Sequence, residues 1–299
     1  MNPPASRPAG APDLAVEAPA KLNLFLEVIG KRADGFHEIE TVMQAIDLCD
    51  RVEFWKRAPG KFSMSSSGIA VPLDEDNLVM RAARLMADAF AGNSGAHLHL
   101  EKRIPIGGGL GGGSSDAAAV LRGLDRLWQL DADLPDLERL GSRIGSDVNF
   151  FLYGGLALCR GRGELVEPLT AYSPVRYVLH VPQVQSLTKD IYARLRMPLT
   201  AGRRACTSIC EALERGNAGA VGCELFNRLE EPAFELYPDL ADAKAALAEA
   251  GALGSLLSGS GSTVYAAAAP EAAAGLVAAL EPRLGTGSMA VAGPVSRWR

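Results

Sequence analysis

The segment Gly107–Gly113 constrains this chain more than any other, because six of its seven residues are glycine. Glycine loses more backbone freedom on folding than any other residue, so such a run is costly unless backbone atoms must approach something closely. Two serines and three alanines follow, and this pattern predicts a helix from Ser114 to Leu130. The first turn of a helix offers unpaired N–H groups and the positive end of the helix dipole, a geometry that binds phosphate.

The predicted phosphate-binding segment runs from Pro105 to Ser115. Its residues are Pro105, Ile106, Gly107, Gly108, Gly109, Leu110, Gly111, Gly112, Gly113, Ser114 and Ser115. We expect the two serines to cap the helix and to donate to phosphate oxygens. The alternative is a flexible surface loop, but Pro105 and the immediate start of a helix argue against a mere spacer.

Three well-known phosphate-binding patterns are absent from the sequence around these glycines. The Walker pattern needs Gly-Lys-Ser/Thr after the glycines, and no lysine is there. The dinucleotide-binding pattern needs a second strand and an acidic residue about 20 residues on, where helical sequence stands instead. The protein-kinase signatures His-Arg-Asp-Leu and Asp-Phe-Gly are missing as well.

Composition narrows the class of protein further. The 299 residues suit one large domain or two moderate ones, and the 48% apolar share is enough to bury a core. The net charge is −5 and no Lys/Arg cluster occurs, which disfavours a nucleic-acid binder. Five cysteines without a spacing framework favour reduced thiols in the cytoplasm. No run approaches the ~20 apolar residues of a membrane span, and we expect Met1–Glu17 to be a disordered tail.

The order of predicted elements indicates an α+β fold, because consecutive strands come first and no strict strand–helix–strand rhythm follows. The sequence pattern changes near residues 160–173, which predicts a domain boundary there. The predicted strands and helices cover residues 22–28, 38–46, 51–56, 77–90, 97–101, 114–130, 135–144, 156–159, 177–181, 188–251, 252–268 and 270–284, with a short final strand.

Several polar residues stand out in this pattern. Lys21 and Asn23 are two apart on a strand and share a face, which suits a site wall as well as an exposed edge. Asp147 precedes an apolar run, where an aspartate often only caps a helix. We expect His97 and His99 to lie on a solvated strand face rather than to bind a metal.

Three motifs in this order resemble the superfamily of galactokinase, homoserine kinase, mevalonate kinase and phosphomevalonate kinase (GHMP kinases). They occupy residues 18–24, 105–119 and 257–265, so they span most of the chain. The resemblance implies a two-domain GHMP-kinase fold. Residues 18–165 would form an N-terminal ATP-binding domain of mixed sheet and helices. Residues 166–299 would form a C-terminal ferredoxin-like substrate domain, whose last strand returns to the first domain.

Residues 21–24, 32–37 and 145–151 are similar to the branch that phosphorylates a cytidine-diphosphate-linked alcohol on the non-mevalonate route to isoprenoid precursors. Two residues depart from the usual pattern of that branch. Phe36 stands where a tyrosine is usual, which removes one hydroxyl and keeps the ring. Asn149 stands where a proline is frequent, which alters the backbone near Asp147.

The resemblance also implies roles for single residues. Asp147 would accept the proton of the substrate hydroxyl, and Lys21 would keep Asp147 ionised and offset charge on the transferred phosphoryl group. ATP would bring Mg²⁺, for which the sequence identifies no carboxylate ligand; a hydroxyl of Ser114 or Ser115 is one option. The residues implied to contact the acceptor are Asn23, Phe36, His37, Thr188 and Tyr192, and those implied to lie near the adenine are Asn77 and Lys102.

Two other functions stay open from the sequence. One is a GHMP kinase for homoserine, mevalonate or a sugar, and the other is a catalytically silent nucleotide-binding protein of this fold. Gly35-Phe36-His37 argues against the first alternative, because an aromatic pair for cytosine has no purpose with those substrates. Retention of both Lys21 and Asp147 argues against the second.

Overall fold

The computed structural model describes residues 6–91, 94–184, 186–196, 204–284 and 289–296. The strands in these ranges are β1 (Leu14–Lys31), β2 (His37–Arg57), β3 (Phe62–Gly68), β4 (Gly95–Lys102), β5 (Leu156–Gly161), β6 (Leu165–Pro168), β7 (Arg176–His180), β8 (Phe226–Asn227), β9 (Gly254–Leu257), β10 (Val264–Ala268) and β11 (Met289–Ala292). The helices are α1 (Leu78–Met86), α2 (Gly112–Trp128), α3 (Leu134–Ile144), α4 (Val148–Tyr153), α5 (Thr188–Arg194), α6 (Thr207–Glu214), α7 (Ala218–Glu224), α8 (Glu230–Leu236), α9 (Pro238–Glu249) and α10 (Ala273–Leu284).

The chain forms two compact units that alternate along the sequence. The first unit comprises Met1–Ala20, Leu48–Ile104 and Gly111–Leu152, and the second comprises Lys21–Asp47, Pro105–Leu110 and Tyr153–Arg299. Strands β1 and β2 are long enough to contribute residues to both. The boundary expected at residue 165 stays a prediction.

In the first unit, β4 lies between β3, which is parallel to it, and the second half of β2, which is antiparallel. Phe54 of β2 and Leu98 of β4 face each other in this ladder, and both are fully buried. Helices α1, α2 and α3 pack against one another. Gly123 allows α2 to approach the sheet, because a Cβ there would overlap the Phe54 ring.

In the second unit, β5 pairs with the first half of β2 and with β6, while the short β8 pairs with β1. A separate antiparallel sheet has the strand order β11-β7-β10-β9. Alternate apolar residues of β10 pack with apolar residues of α9 and α10, among them Leu247 and Leu280. This burial explains why the small-residue strand Val264–Ala268 is stable although alanine is a poor strand former.

The structure corrects two strand predictions. One strand, His37–Arg57, replaces the two expected at residues 38–46 and 51–56, because the polar residues between them have partners: Asp47 accepts the N–H of Gly293 (2.7 Å). Strand β1 begins at Leu14, so residues 14–17 belong to it rather than to the expected tail. Val16 is buried there, and apolar residues at alternate positions favour a strand.

The helix predictions are close, with shifts at the ends. The helix after the glycines begins at Gly112, two residues before the expected Ser114, and ends at Trp128. The helix expected to reach residue 90 ends at Met86 and continues as a π-helical turn, Ala87–Ala91. The helical region expected at residues 188–251 contains α5 to α9 and the short β8, and its residues 197–203 lie outside the described ranges.

The prediction of a solvated face for His97 and His99 is wrong. Both imidazoles are buried, and serines at positions 63, 65 and 67 of β3 bond to them in alternation along the parallel ladder at 2.8–3.0 Å. Each ring nitrogen therefore has a hydroxyl partner, which offsets the cost of burying it. Within the described ranges, no group of three or more His, Cys, Asp or Glu residues is arranged to hold a metal.

Candidate active site

The second half of the glycine segment opens α2 in the first unit. Gly111 is the N-cap residue with φ +71°, a left-handed conformation that favours glycine, and no acidic residue lies in the first helical turn. Ser115 N donates to Gly111 O (3.0 Å), so the intrahelical hydrogen bonds begin there. The N–H groups of the preceding turn are left for an external acceptor. This end of α2 has the local geometry of an anion-binding site.

The two serines do not cap the helix, because α2 starts before them and its cap makes no side-chain hydrogen bond. Ser114 is half-buried, while Ser115 is fully buried and its Oγ has no hydrogen-bond partner among the described residues. An unpartnered buried hydroxyl is unusual. Hydroxyl oxygen is a donor that Mg²⁺ accepts. The serine pair is thus chemically suited to the metal that accompanies a nucleotide.

Asn77 caps α1, which starts beside the same segment. Its Oδ1 accepts the N–H of Val79 (2.9 Å) and its Nδ2 donates to Pro72 O (2.7 Å). A Cβ on Gly113 would lie 3.3 Å from Leu78 Cδ1, the first residue of α1. Asn77 therefore caps α1, and the next residue, Leu78, lies beside Gly113 of the glycine segment.

Lys102 ends β4 and is buried with two carboxylates. Its Nζ donates to Asp50 Oδ2 (2.5 Å) and to Asp116 Oδ2 (2.7 Å). Burial raises the pKa of the Asp116 carboxyl to about 8, against the opposing effect of Lys102. Asp50 and Asp116 thus accept two of the three N–H groups of the Lys102 amine. The family resemblance implied that this amine lies near the adenine.

Asp147 directly precedes α4 and is half-buried. The turn that carries it lies near the start of α2, because a Cβ on Gly145 would be 3.5 Å from Ser114 Oγ. Asn149, in the first turn of α4, donates to Ser142 Oγ of α3 (2.9 Å). The departure from proline at this position thus provides a polar contact between two helices close to Asp147.

In the second unit, Lys21 and Asn23 lie on the same side of β1, as their spacing predicts. Lys21 Nζ donates to Asn23 Oδ1 (2.6 Å), and Asn23 Nδ2 donates to Thr41 Oγ1 (2.8 Å). The side chain of Lys21 is almost fully buried. A Cβ on Gly259 would lie 3.3 Å from Asn23 Oδ1 and 3.4 Å from Lys21 Nζ, so this pair faces the loop between β9 and β10.

That loop contacts the first half of the glycine segment, Pro105–Leu110. Ser258 Oγ donates to Gly109 O (2.9 Å), and Thr263 N donates to Gly108 O (3.1 Å). Gly109 has φ +74°, and a Cβ there would overlap the carbonyl oxygen of Ser258. Leu110 O accepts the N–H of Lys21 (2.9 Å). The second unit thus brings together Lys21, the β9–β10 loop and one half of the phosphate-binding segment.

The residues predicted to recognise the acceptor all lie in the second unit. His37 and Tyr192 stack with ring centroids 4.7 Å apart and planes inclined by 28°. Burial, with a smaller effect of Lys31, lowers the pKa of His37. Phe36 is half exposed, and the Arg162 guanidinium lies 4.7 Å from its ring centre. Thr188 Oγ1 is 2.9 Å from Ser260 Oγ in the β9–β10 loop.

The His37–Tyr192 contact changes the expected geometry of base recognition. The family resemblance implies that Phe36, His37 and Tyr192 all contact the acceptor. A separation of 4.7 Å is that of two rings in direct contact, with no space for a third. His37 and Tyr192 therefore stack on each other in this structure, and a base must displace one ring or use another face.

Sequence reasoning missed several residues that hold the site together. Asp50 and Asp116 anchor Lys102. Asn227 Nδ2 donates to Leu257 O at the end of β9 (2.8 Å) and to Gly259 O in the β9–β10 loop (2.7 Å). Asp116 did carry a signal, because it precedes five apolar residues on a helix and so had to be buried or paired. Asn227 carried none, since its partners are 30 and 32 residues away.

Comparison with known proteins adds two family matches. Residues 77–155 match the GHMP kinases N terminal domain, and residues 209–281 match the GHMP kinases C terminal domain. The curated 4-diphosphocytidyl-2-C-methyl-D-erythritol kinase of Shouchella clausii is 45% identical over 252 residues, 84% of each chain. The enzyme of the same name from Pelotomaculum thermopropionicum is 42% identical over 262 residues, 88% of this chain and 91% of the relative.

Solved structures agree with these matches. A crystal structure of 4-(cytidine 5'-diphospho)-2C-methyl-D-erythritol kinase is 36% identical, with a TM-score of 0.79 over 95% of this chain and 99% of the other. Homoserine kinase from Cytophaga hutchinsonii has a TM-score of 0.74 at 21% identity, over 98% and 97% of the two chains. At that identity the likeness concerns the fold alone, and it confirms the predicted α+β GHMP-kinase fold.

Proposed function

Because the chain belongs to the GHMP kinases and, within them, to the family of 4-diphosphocytidyl-2-C-methyl-D-erythritol kinases, we propose that it catalyses the reaction for which its relatives are named. The reaction is ATP-dependent phosphorylation of the 2-hydroxyl of 4-diphosphocytidyl-2-C-methyl-D-erythritol, on the non-mevalonate route to isoprenoid precursors. The observation that carries the proposal is the glycine-rich entry to α2, whose cap makes no side-chain hydrogen bond and whose first turn has no acid.

The phosphates of ATP bind the segment Pro105–Ser115 in this proposal. Its backbone N–H groups point to anionic oxygens, and its glycines allow approach without Cβ atoms. Mg²⁺ accompanies the nucleotide and neutralises charge on the phosphates, with the hydroxyl of Ser114 or Ser115 as the protein donor. Asn77 and Lys102, on elements adjoining this segment, lie toward the adenine.

Asp147 and Lys21 perform the transfer. The acceptor 2-oxygen attacks the γ-phosphorus in line, its proton passes to the Asp147 carboxylate, and the bond to the β–γ bridging oxygen breaks to release ADP. Lys21 offsets charge on the transferred phosphoryl group. A buried amine already held by Asn23 Oδ1 at 2.6 Å loses little freedom when it meets that charge.

The acceptor is held on its cytidine side by Asn23, Phe36, His37, Thr188 and Tyr192. A neutral imidazole, favoured by the lowered pKa of His37, can both stack on a base and exchange hydrogen bonds with it. The exposed face of Phe36 offers a second stacking surface. These contacts select a cytidine diphosphate over small acceptors such as homoserine.

The cellular setting of the proposal is the cytoplasm, with small molecules rather than nucleic acid or membrane as partners. All five cysteines are free thiols. Within the described ranges, every helix is too short or too polar to cross a lipid bilayer. The acidic net charge of −5 opposes binding to a polyanion.

A panel assay tests the proposed function. The chain is incubated with ATP, Mg²⁺ and one acceptor at a time: 4-diphosphocytidyl-2-C-methyl-D-erythritol, homoserine, mevalonate or galactose. We expect kcat/KM for the cytidine diphosphate acceptor to exceed the others by at least ~10³-fold, because the acceptor site is built for an aromatic base. Phosphorylation of homoserine or mevalonate alone would show the acceptor to be wrong, and no transfer to any acceptor would favour a silent nucleotide binder.

A further inference from the structure

A buried cluster of three ionisable side chains lies beneath the start of α2, and the transfer chemistry described above does not use it. Lys102 bonds to both Asp50 and Asp116, and each of the three side chains is at most 4% exposed. Burying an ion pair such as that of Lys102 and Asp50 costs more free energy than burying apolar groups of similar size. Stability alone is therefore a poor explanation of this cluster.

The cluster joins the two stretches of chain that flank the glycine segment in the first unit. Asp50 Oδ1 accepts the N–H groups of Arg103 (2.5 Å) and Ile104 (2.8 Å), the two residues that follow β4. Asp116 belongs to α2 and lies one residue beyond the serine pair. Lys102 thus connects the end of β4 with the beginning of α2 through charged hydrogen bonds, which are stronger than neutral ones.

Gly112 rests directly on this cluster. A Cβ at Gly112 would lie 2.9 Å from Lys102 Nζ and 2.9 Å from Ile104 Cγ2. Gly112 is the first residue of α2, so its N–H has no partner within the helix. A shift of the Lys102 amine would therefore shift the peptide groups that we expect to bind phosphate. Displacements of about 1 Å in such groups greatly weaken the binding or catalysis that they support.

We propose that Asp50, Lys102 and Asp116 are positioning residues for the phosphate-binding segment, and that they act by fixing the first turn of α2 against the end of β4. They hold the N–H donors in the orientation that binds the triphosphate. This inference deepens the proposed function and rests on it only in taking ATP as the ligand.

The test measures the affinity of the full chain for MgATP by equilibrium titration without an acceptor. Asp116→Ala removes one of the two carboxyl groups that bond to Lys102 and should weaken MgATP binding about tenfold. Asp116→Asn keeps an oxygen that accepts from Lys102 and should stay within about threefold of the unchanged chain. If Asp116→Ala does not fold, Asp116→Ser replaces it, because a serine hydroxyl stops short of the amine.

Asp125→Ala is the matched control, since Asp125 lies on the same helix and accepts the N–H of Ala132 (2.9 Å) away from the glycine segment. It should lower the melting temperature and leave MgATP affinity unchanged. The proposal is overturned if Asp116→Ala and Asp125→Ala change affinity equally, or if Asp116→Asn loses as much affinity as Asp116→Ala. No acceptor is present in this titration, so its result does not depend on whether the proposed acceptor is correct.

Discussion

Lys21 illustrates how much of this site depends on single residues, because a buried amine keeps its charge only when polar partners replace water. Asn23 supplies one partner and is itself fixed by Thr41, whose hydroxyl donates to Phe25 O (2.6 Å). The chain Lys21–Asn23–Thr41 therefore fixes the direction of the cation. The spacing of Lys21 and Asn23 predicted their common face, but nothing in the sequence pointed to Thr41.

Asp147→Asn should leave the fold intact and reduce kcat by at least ~10²-fold, because an amide has no lone pair basic enough to accept the acceptor's proton. Steady-state turnover and the melting temperature measure the two effects. Asp136→Asn serves as the control, since Asp136 is an exposed partner of Arg139 near the start of α3. If Asp147→Asn turns over as fast as Asp136→Asn, Asp147 is not the base.

Tyr192→Ala should raise KM for the cytidine diphosphate acceptor about tenfold and leave KM for ATP within about twofold, because Tyr192 stacks on His37. The comparison variant is Tyr172→Ala, which removes an exposed tyrosine of the same unit. Both KM values are obtained from initial rates. A parallel rise in KM for ATP would indicate general damage to the second unit instead of loss of base recognition.

At the scale of elements, the strongest local patterns were predictable and the tertiary contacts were not. The glycine run and the alanines after it located α2 to within two residues. The break expected inside β2 was wrong because Asp50, which interrupts the apolar pattern, is paired with Lys102, a residue 52 positions away. Local sequence does not report such pairing, which depends on how strands assemble.

The His–Ser ladder between β3 and β4 shows the same limit. Alternating polar residues predict a solvated face, yet His97 and His99 are buried because three serines of the neighbouring strand match their spacing. The matching pattern is visible in both strands, since Ser63, Ser65 and Ser67 are two residues apart, as are His97 and His99. Only the parallel register of β3 and β4 brings the two patterns together.

This ladder makes stability depend on pH. Burial lowers the pKa of His97 from 6.5 to about 4, so between these values the unfolded chain binds a proton that the folded chain does not. Stability from this group is complete above pH 6.5 and is lost as pH falls toward 4, by on the order of 3 kcal/mol.

The variant His97→Gln tests this dependence, because glutamine does not titrate. Its unfolding free energy should be lower than that of the unchanged chain at pH 7, and the difference should shrink as pH is lowered to 4.5. Urea unfolding at a series of pH values gives both curves. Curves that stay parallel would show that His97 does not titrate differently in the folded and unfolded chains.

At the scale of the whole molecule, the family was predictable because its three motifs are long and ordered, whereas the domain boundary near residue 165 stays a prediction. The two compact units alternate along the sequence, so Lys21 belongs to one and Asp147 to the other. Composition and local pattern do not reveal such an arrangement. The family match covers most of the chain and is stronger than any single motif.

The proposed function requires this chain to transfer the γ-phosphoryl group of ATP to one hydroxyl of a cytidine-diphosphate-linked alcohol. Phosphorus NMR of the reaction between ATP and 4-diphosphocytidyl-2-C-methyl-D-erythritol follows this transfer. We expect one new phosphomonoester signal assigned to the 2-position of the erythritol, an unchanged cytidine diphosphate linkage and one ADP per product. Release of inorganic phosphate without a new phosphomonoester, or a phosphate on another hydroxyl, would contradict it.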